Sequence, residues 1–209
     1  MYKKRFYFIV FEGTEGTGKS FQIKKLYKNL KRKKFKVIKT REPGGSTTAE
    51  AIRKFIFSKK STKFNKITDF YLMLAARNEH FRNTIFPAKK KKLIVISDRF
   101  FDSTLAYQVF GNKINKQVNL INKKYILNNF KPNITIVLKS HPKIIKKRLK
   151  ERNKLNKYDK LQEKFHLKIQ NFFIKLTKNK RDYFLFDSSK NDSILEKKIF
   201  NLVIKKLKY

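Results

Sequence analysis

The sequence predicts a three-layer α/β fold, a parallel sheet between two layers of helices. Short apolar runs alternate along the chain with longer segments of helical period, as strands joined by crossover helices do. The runs are continuously apolar, as strands buried on both faces should be. A glycine-rich loop directly follows the first run and opens a helical segment, a context typical of phosphate-binding α/β proteins.

The elements follow in order. Residues 6–11 (FYFIVF) form the first strand, too short for a signal core or a membrane span. Further strands are predicted at 35–40, 93–97, 133–138 and 183–186. Helices are predicted at 19–33, 47–57, 66–91, 102–109, 116–129, 142–152, 161–178 and 193–206. Residues 152–160 (RNKLNKYDK) are polar and interrupt the helical pattern. They read as a mobile flap, although composition alone fits an ordinary helix–helix loop. The 209 residues suit one domain, 1–209, with that small insertion.

Composition limits the function. The chain has no Cys, which excludes disulfides and cysteine metal sites and is compatible with a reducing, cytoplasmic location. There are 54 Lys and Arg against 15 Asp and Glu, a net charge of +39. Such charge can mark nucleic-acid or membrane binding. Here the lysines are spread over the whole chain. Residues with AT-rich codons (Lys, Asn, Ile, Phe, Tyr) abound while Ala, Gly, Pro and Trp are scarce. Compositional drift explains that pattern better than a dedicated surface, so no specific nucleic acid and no membrane partner are expected. Loose, salt-sensitive polyanion binding remains a consequence of the charge.

The chemistry begins at Gly13-Thr14-Glu15-Gly16-Thr17-Gly18-Lys19-Ser20, which fits G-x-x-x-x-G-K-[S/T] without mismatch. The glycines let backbone N–H groups face phosphate oxygens, and the following helix adds its positive end. Lys19 is suited to the β- and γ-phosphates and Ser20 to Mg²⁺. The chain therefore reads as a nucleoside triphosphate binder, with kinase, GTPase, ATPase and helicase still open.

Two further motifs narrow the choice. Arg41-Glu42-Pro43-Gly44-Gly45 follows the second strand, where open α/β sheets bind ligands. Arg41 is thus placed for an anion beside the phosphate loop, although a tight loop with a surface arginine accounts for these residues equally well. DRFFDSTLAYQ, residues 98–108, follows the third strand. Asp98 suits a role near Mg²⁺, and Arg99 can clamp a phosphate with both arms of its fork. Thr104 and Tyr107, a helical turn apart, face one side.

Taken together, GTEGTGKS, REPGG and DRFFDSTLAYQ, in this order and spacing, resemble the bacterial thymidylate kinase family over nearly the whole chain. The resemblance implies a P-loop NTPase fold with strand order 2-3-1-4-5, a homodimer packed through helices, and transfer of the γ-phosphoryl group of ATP to dTMP with Mg²⁺. Another nucleoside monophosphate kinase, or a nucleic-acid-stimulated ATPase, is the alternative.

By the same resemblance, Glu15, Arg41 and Arg99 face the acceptor nucleotide. Arg77 meets the thymine carbonyl, Tyr107 lies where a ribose would carry its 2′-hydroxyl, and Thr104 and Gln108 line the base side. As a lone residue, Arg77 would read as a helix-surface arginine. Lys19, Arg99 and Glu15, with a lid cation from Arg152 or Lys157, carry the catalytic roles.

Three departures stand out. Lys157 replaces the usual lid arginine, and lysine lacks the forked geometry, so Arg152 or Arg148 is the substitute. Met73 stands where an aromatic platform is usual, which leaves Phe70, one turn earlier, to compensate. Lys139 ends the fourth strand in place of an acid.

Overall fold

The computed structural model describes residues 5–58, 64–153, 155–178 and 180–208. The expected bounds at residues 1 and 209, and Lys154 of the expected lid, lie outside them.

Among the described residues the five strands are β1 (Tyr7–Glu12), β2 (Val37–Arg41), β3 (Ile94–Asp98), β4 (Ile134–Lys139) and β5 (Tyr183–Asp187). They form one parallel sheet in the order β2-β3-β1-β4-β5, as the resemblance implies. β1 is central and every residue of it is buried. Its alternate side chains divide the core between two faces. Tyr7, Ile9 and Phe11 meet Leu26 and Leu30 on one side, with Ile199 and Val203. Phe8 and Val10 meet Ile85, Phe100 and Leu127 on the other. The edge strands β2 and β5 are only partly buried, because a neighbour covers them along one edge alone.

The helices sit where the periodicity places them. They are α1 (Lys19–Arg32), α2 (Thr47–Ile56), α3 (Lys66–His80), α4 (Phe86–Lys90), α5 (Phe101–Thr104), α6 (Lys116–Ile121), α7 (Pro142–Lys150), α8 (Glu163–Thr177) and α9 (Ser193–Lys208). Side-chain caps set several of the starts: Ser46 accepts the Ala49 N–H at 3.3 Å, Asn65 the Thr68 N–H at 2.8 Å and His141 the Lys143 N–H at 3.3 Å.

Two boundaries differ from expectation for physical reasons. The helix expected at 66–91 is α3 and α4 joined by a π-helical segment, Phe81–Ile85. Pro87, at the start of α4, has no N–H to return to the preceding turn. The helix expected at 116–129 is α6 followed by a π-helical segment, Asn122–Ile126. It stops before Asn128 and Asn129, whose φ of 44° and 57° are left-handed. A further π-helical segment, Leu105–Gly111, continues α5.

β1, β2 and β3 end at Glu12, Arg41 and Asp98, so their carboxyl ends gather the glycine loop, REPGG and DRF at one edge of the sheet. At the same edge Lys139, ending β4, lies 3.8 Å from Asp187, ending β5.

Candidate active site

The glycine loop joins β1 to α1. Gly18, the residue before α1, has φ of 80°. Gly13 is at φ of 136°, and a Cβ there would lie 2.4 Å from the Leu138 carbonyl oxygen. Only glycine combines that angle with that approach. The Lys19 ammonium curls over the loop and donates to the carbonyls of Gly13 (3.0 Å) and Thr14 (2.8 Å). Burial, together with nearby Arg99, lowers its pKa to about 8. Thr17 ties the loop to itself, donating from Oγ1 to the Thr14 carbonyl at 2.8 Å. Arg148 closes the loop from outside, donating to the carbonyls of Gly16, Ser188 and Ser189 at 3.2, 2.9 and 2.9 Å.

Ser20 donates from Oγ to Oδ2 of Asp98 at 3.0 Å. A hydroxyl and a carboxylate are the hard oxygen donors that suit Mg²⁺, which takes its remaining ligands from phosphates and water. Among the described residues no cluster of three or more His, Cys, Asp or Glu side chains forms a separate metal cage.

Arg99 organises the centre. Its backbone is left-handed, with φ of 73°, and its N–H is bonded to the Phe11 carbonyl at 2.9 Å. The guanidinium donates to Glu15 Oε1 (2.7 Å), the Gly13 carbonyl (2.9 Å), Ser103 Oγ (3.0 Å) and the Tyr107 hydroxyl (3.3 Å). Tyr107 in turn donates to Glu15 Oε2 at 2.5 Å. Against the penalty of burial, Arg99 and the surrounding donors hold the Glu15 carboxyl well below the ordinary carboxylate range. Glu15 is 8% exposed, so it is not a solvated loop acid. No local pattern marks His166 on α8, which lies 3.0 Å from Thr14 Oγ1 and 3.6 Å from Glu15 Oε2.

Arg77 is equally enclosed, at 4% exposure. It donates from Nε to Glu42 (2.7 Å), from one Nη to Thr104 Oγ1 (2.8 Å) and from the other to the Phe100 carbonyl (2.9 Å). Glu42 also bonds His80 Nδ1 at 2.9 Å, and His80 Nε2 lies 2.7 Å from Thr40 Oγ1. Against burial, Arg77 and then His80 keep the Glu42 carboxyl below its usual range. Glu42 stands inside REPGG, yet its partners come from α3. Glu12, at the end of β1, is another supporting acid. It accepts the N–H groups of Phe100 and Ser103 and the Ser103 hydroxyl, and so fixes the turn that carries Arg99.

These groups line one cleft of about 520 Å³. Glu15, Lys19, Ser20, Arg41, Met73, Arg77, Asp98, Arg99, Thr104, Tyr107, Gln108 and Arg152 all contribute to its wall. Arg41 is held there by a double hydrogen bond to Glu50, at 3.0 and 2.7 Å. Arg53, not foreseen from the sequence, also lines the cleft and donates to the Pro43 carbonyl at 2.6 Å.

Several expected groups lie elsewhere. Lys157 is absent from the cleft wall and bonds Asp69 on α3. Arg148 is committed to the carbonyls above. Phe70 does not compensate at the Met73 position: it is fully buried and packs with Leu74 and Ile114. The rings facing the cleft are instead Phe57, Phe100, Tyr107 and Tyr158.

Comparisons with known proteins agree with this geometry. The thymidylate kinase family profile matches residues 11–199. A thymidylate kinase of Mycoplasma capricolum is 34% identical over 204 residues, covering 96% of each chain. One from Aster yellows witches'-broom phytoplasma is 37% identical over 205 residues, with the same coverage. The crystal structure of thymidylate kinase from Ehrlichia chaffeensis superposes with a TM-score of 0.75 at 26% identity, over 95% of this chain and 98% of that one. With its P-loop, its REPGG and DRF turns and its sheet order in place, the chain belongs to the thymidylate kinase family.

Proposed function

We propose that the protein transfers the γ-phosphoryl group of ATP to dTMP, releasing dTDP and ADP. The observation that carries this reading is the span of the cleft. Lys19 and Ser20 of the glycine loop share one wall with Met73, Arg77 and Gln108, and the Arg99–Glu15–Tyr107 network belongs to the same cleft. Two nucleotides meeting phosphate to phosphate need that layout.

ATP enters on the glycine loop, residues 13–20, where Lys19 offsets charge on the β- and γ-phosphates. Ser20 and Asp98 are fitted to hold the Mg²⁺ of the nucleotide, which supplies charge neutralisation at the phosphate oxygens when bound. Arg99, with Arg41 on the flank, meets the acceptor phosphate. That phosphate is already largely ionised near neutral pH, its second pKa being about 6. Its oxygen therefore attacks the γ-phosphorus in line with no strong base. Arg152, in the cleft wall, is the lid cation of this reading, and Lys157 takes a different role.

At the acceptor end, a guanidinium offers five N–H groups and Arg77 gives one each to Glu42, Thr104 and Phe100. One N–H on each Nη is left for a carbonyl of the base. The Gln108 amide nitrogen donates to the Tyr158 hydroxyl at 3.1 Å, which leaves its oxygen to accept the ring N–H of thymine. Tyr107 is buried, and its hydroxyl is tied to Glu15. A ring that cannot swing away crowds a 2′-hydroxyl by sterics.

A homodimer belongs to the same proposal. α2 and α3 leave Phe55, Ile67 and Tyr71 at 45%, 44% and 54% exposure, an apolar set that a second copy would cover. Sedimentation at micromolar concentration should give twice the monomer mass. A monomer would remove the dimer and leave the chemistry intact.

The direct test is ADP release with ATP, Mg²⁺ and a panel of monophosphates at moderate salt. dTMP should be the preferred acceptor, Lys19→Ala should lose several orders of magnitude in turnover, and Tyr107→Ala should narrow the preference over the ribonucleotide. Preference for another monophosphate would overturn the substrate, and a fully active Lys19→Ala the placement of ATP.

The depressed Lys19 pKa adds a pH signature. Below pH 8 the ammonium is charged and ready. Above about 8 it must regain a proton as the triphosphate binds, so affinity falls and protons are taken up. Calorimetry in buffers of different ionisation enthalpy, above and below pH 8, should show the uptake only on the alkaline side. Equal uptake on both sides would contradict it.

A further inference from the structure

Asp69 has no part in the chemistry above, yet it is 8% exposed. A carboxylate so enclosed requires partners. Among the described residues, both of its side-chain partners come from the lid, almost 90 residues later. Lys157 gives its ammonium to Oδ1, and the Tyr158 hydroxyl donates to Oδ2 at 3.0 Å.

Tyr158 is more than an anchor point. Its ring stands edge-on to Tyr107 at 5.4 Å and to Phe57 at 6.0 Å. It packs on the cluster of Ile56, Met73 and Ala76, and it lines the cleft. The lid thus supplies an aromatic wall beside Met73, at the end assigned to the base. The rest of the lid turn is stiff. Asp159 accepts from Arg152 at 2.5 Å and from the backbone and side chain of Asn156 at 2.9 and 2.5 Å. Arg152, which lines the cleft, and Tyr158 are therefore carried by one unit.

We infer that Asp69 is a positioning residue that latches the lid to α3 through Lys157 and Tyr158, so that filling the acceptor end and closing the lid are one equilibrium. This rests on the kinase reading above. It also explains why Lys157 points away from the cleft: the ammonium is the latch, and the guanidinium of Arg152 is the cation delivered. Linkage then requires that whatever favours the latched lid tightens acceptor binding by the same factor. Acceptor binding, by favouring the latched lid, would then also favour the place of Arg152 in the cleft wall.

Three variants test this against the wild type: Asp69→Asn, Asp69→Glu and Lys157→Met. Each is assayed for KM of the acceptor, KM of ATP and kcat. Amide exchange over residues 152–160 is followed with and without the acceptor alone. Asp69→Asn should raise the acceptor KM about tenfold, the size expected for an unpaired buried partner. It should leave the ATP KM within about threefold. Acceptor-induced slowing of lid exchange should be lost in Asp69→Asn and restored in Asp69→Glu. Should Asp69→Asn fail to fold, Lys157→Met, which removes the ammonium and leaves the Tyr158–Gln108 bond in place, carries the same prediction in milder form.

An unchanged acceptor KM, or equal shifts in both KM values with a lowered melting temperature, would overturn the latch. The acceptor used is whichever monophosphate the wild type phosphorylates, so an error in the substrate appears in the wild type and an error in the latch appears only in the variants. A wild type that phosphorylates no monophosphate overturns the kinase reading and the latch with it.

Discussion

The buried pair of Arg99 and Glu15 is the constraint on which the site depends. A charge withdrawn from water is tolerated only with an opposite charge and a full set of hydrogen bonds. Arg99 meets that demand by binding the glycine loop at Gly13, the start of α5 at Ser103, and Tyr107 beyond it. Two segments far apart in sequence, the glycine loop and the stretch from Arg99 to Tyr107, are thereby held at one point. Arg99 also adopts a left-handed backbone, a conformation that costs of order 1 kcal/mol or more and persists only where the surroundings impose it. Here they are the bond to Phe11 and the cap that Glu12 places on the following turn.

A second network builds the end proposed for the acceptor by the same logic. Thr40, His80, Glu42 and Arg77 form a chain of hydrogen bonds from β2 to α3. Its last member is left with two N–H groups directed by the three already committed. The two networks meet on α5 and the segment after it, where Thr104 accepts from Arg77 and Tyr107 donates to Glu15. On the proposed function, the places of a base and a phosphate would thus be fixed relative to each other by the protein before either arrives, which is how binding geometry lowers a barrier to transfer.

Much of the fold was legible because periodicity is a local signal. All five strands fall within two residues of their expected limits, since both faces of a central strand must be apolar. What periodicity cannot show is a π-helical segment, and the long helix before Pro87 contains one. The glycine loop was equally legible, because its backbone geometry is written in its glycines. The pairings were not. Glu42 with His80, Lys157 with Asp69, and Glu15 with His166 join residues 38, 88 and 151 positions apart, and no local pattern announces them. Phe70 and Met73 illustrate the same limit, since only the packing of α3 decides which of two apolar side chains faces the cleft.

The central claim is that Arg99 and Glu15 act as one unit on the acceptor phosphate. A double-mutant cycle on kcat/KM for the acceptor tests it most directly, with Glu15→Gln, Arg99→Lys and the double variant. If the two form one unit, the double variant should be no worse than the poorer single variant, with a coupling of about 1–3 kcal/mol. Losses that simply add would mean that each residue acts alone, and would contradict the account.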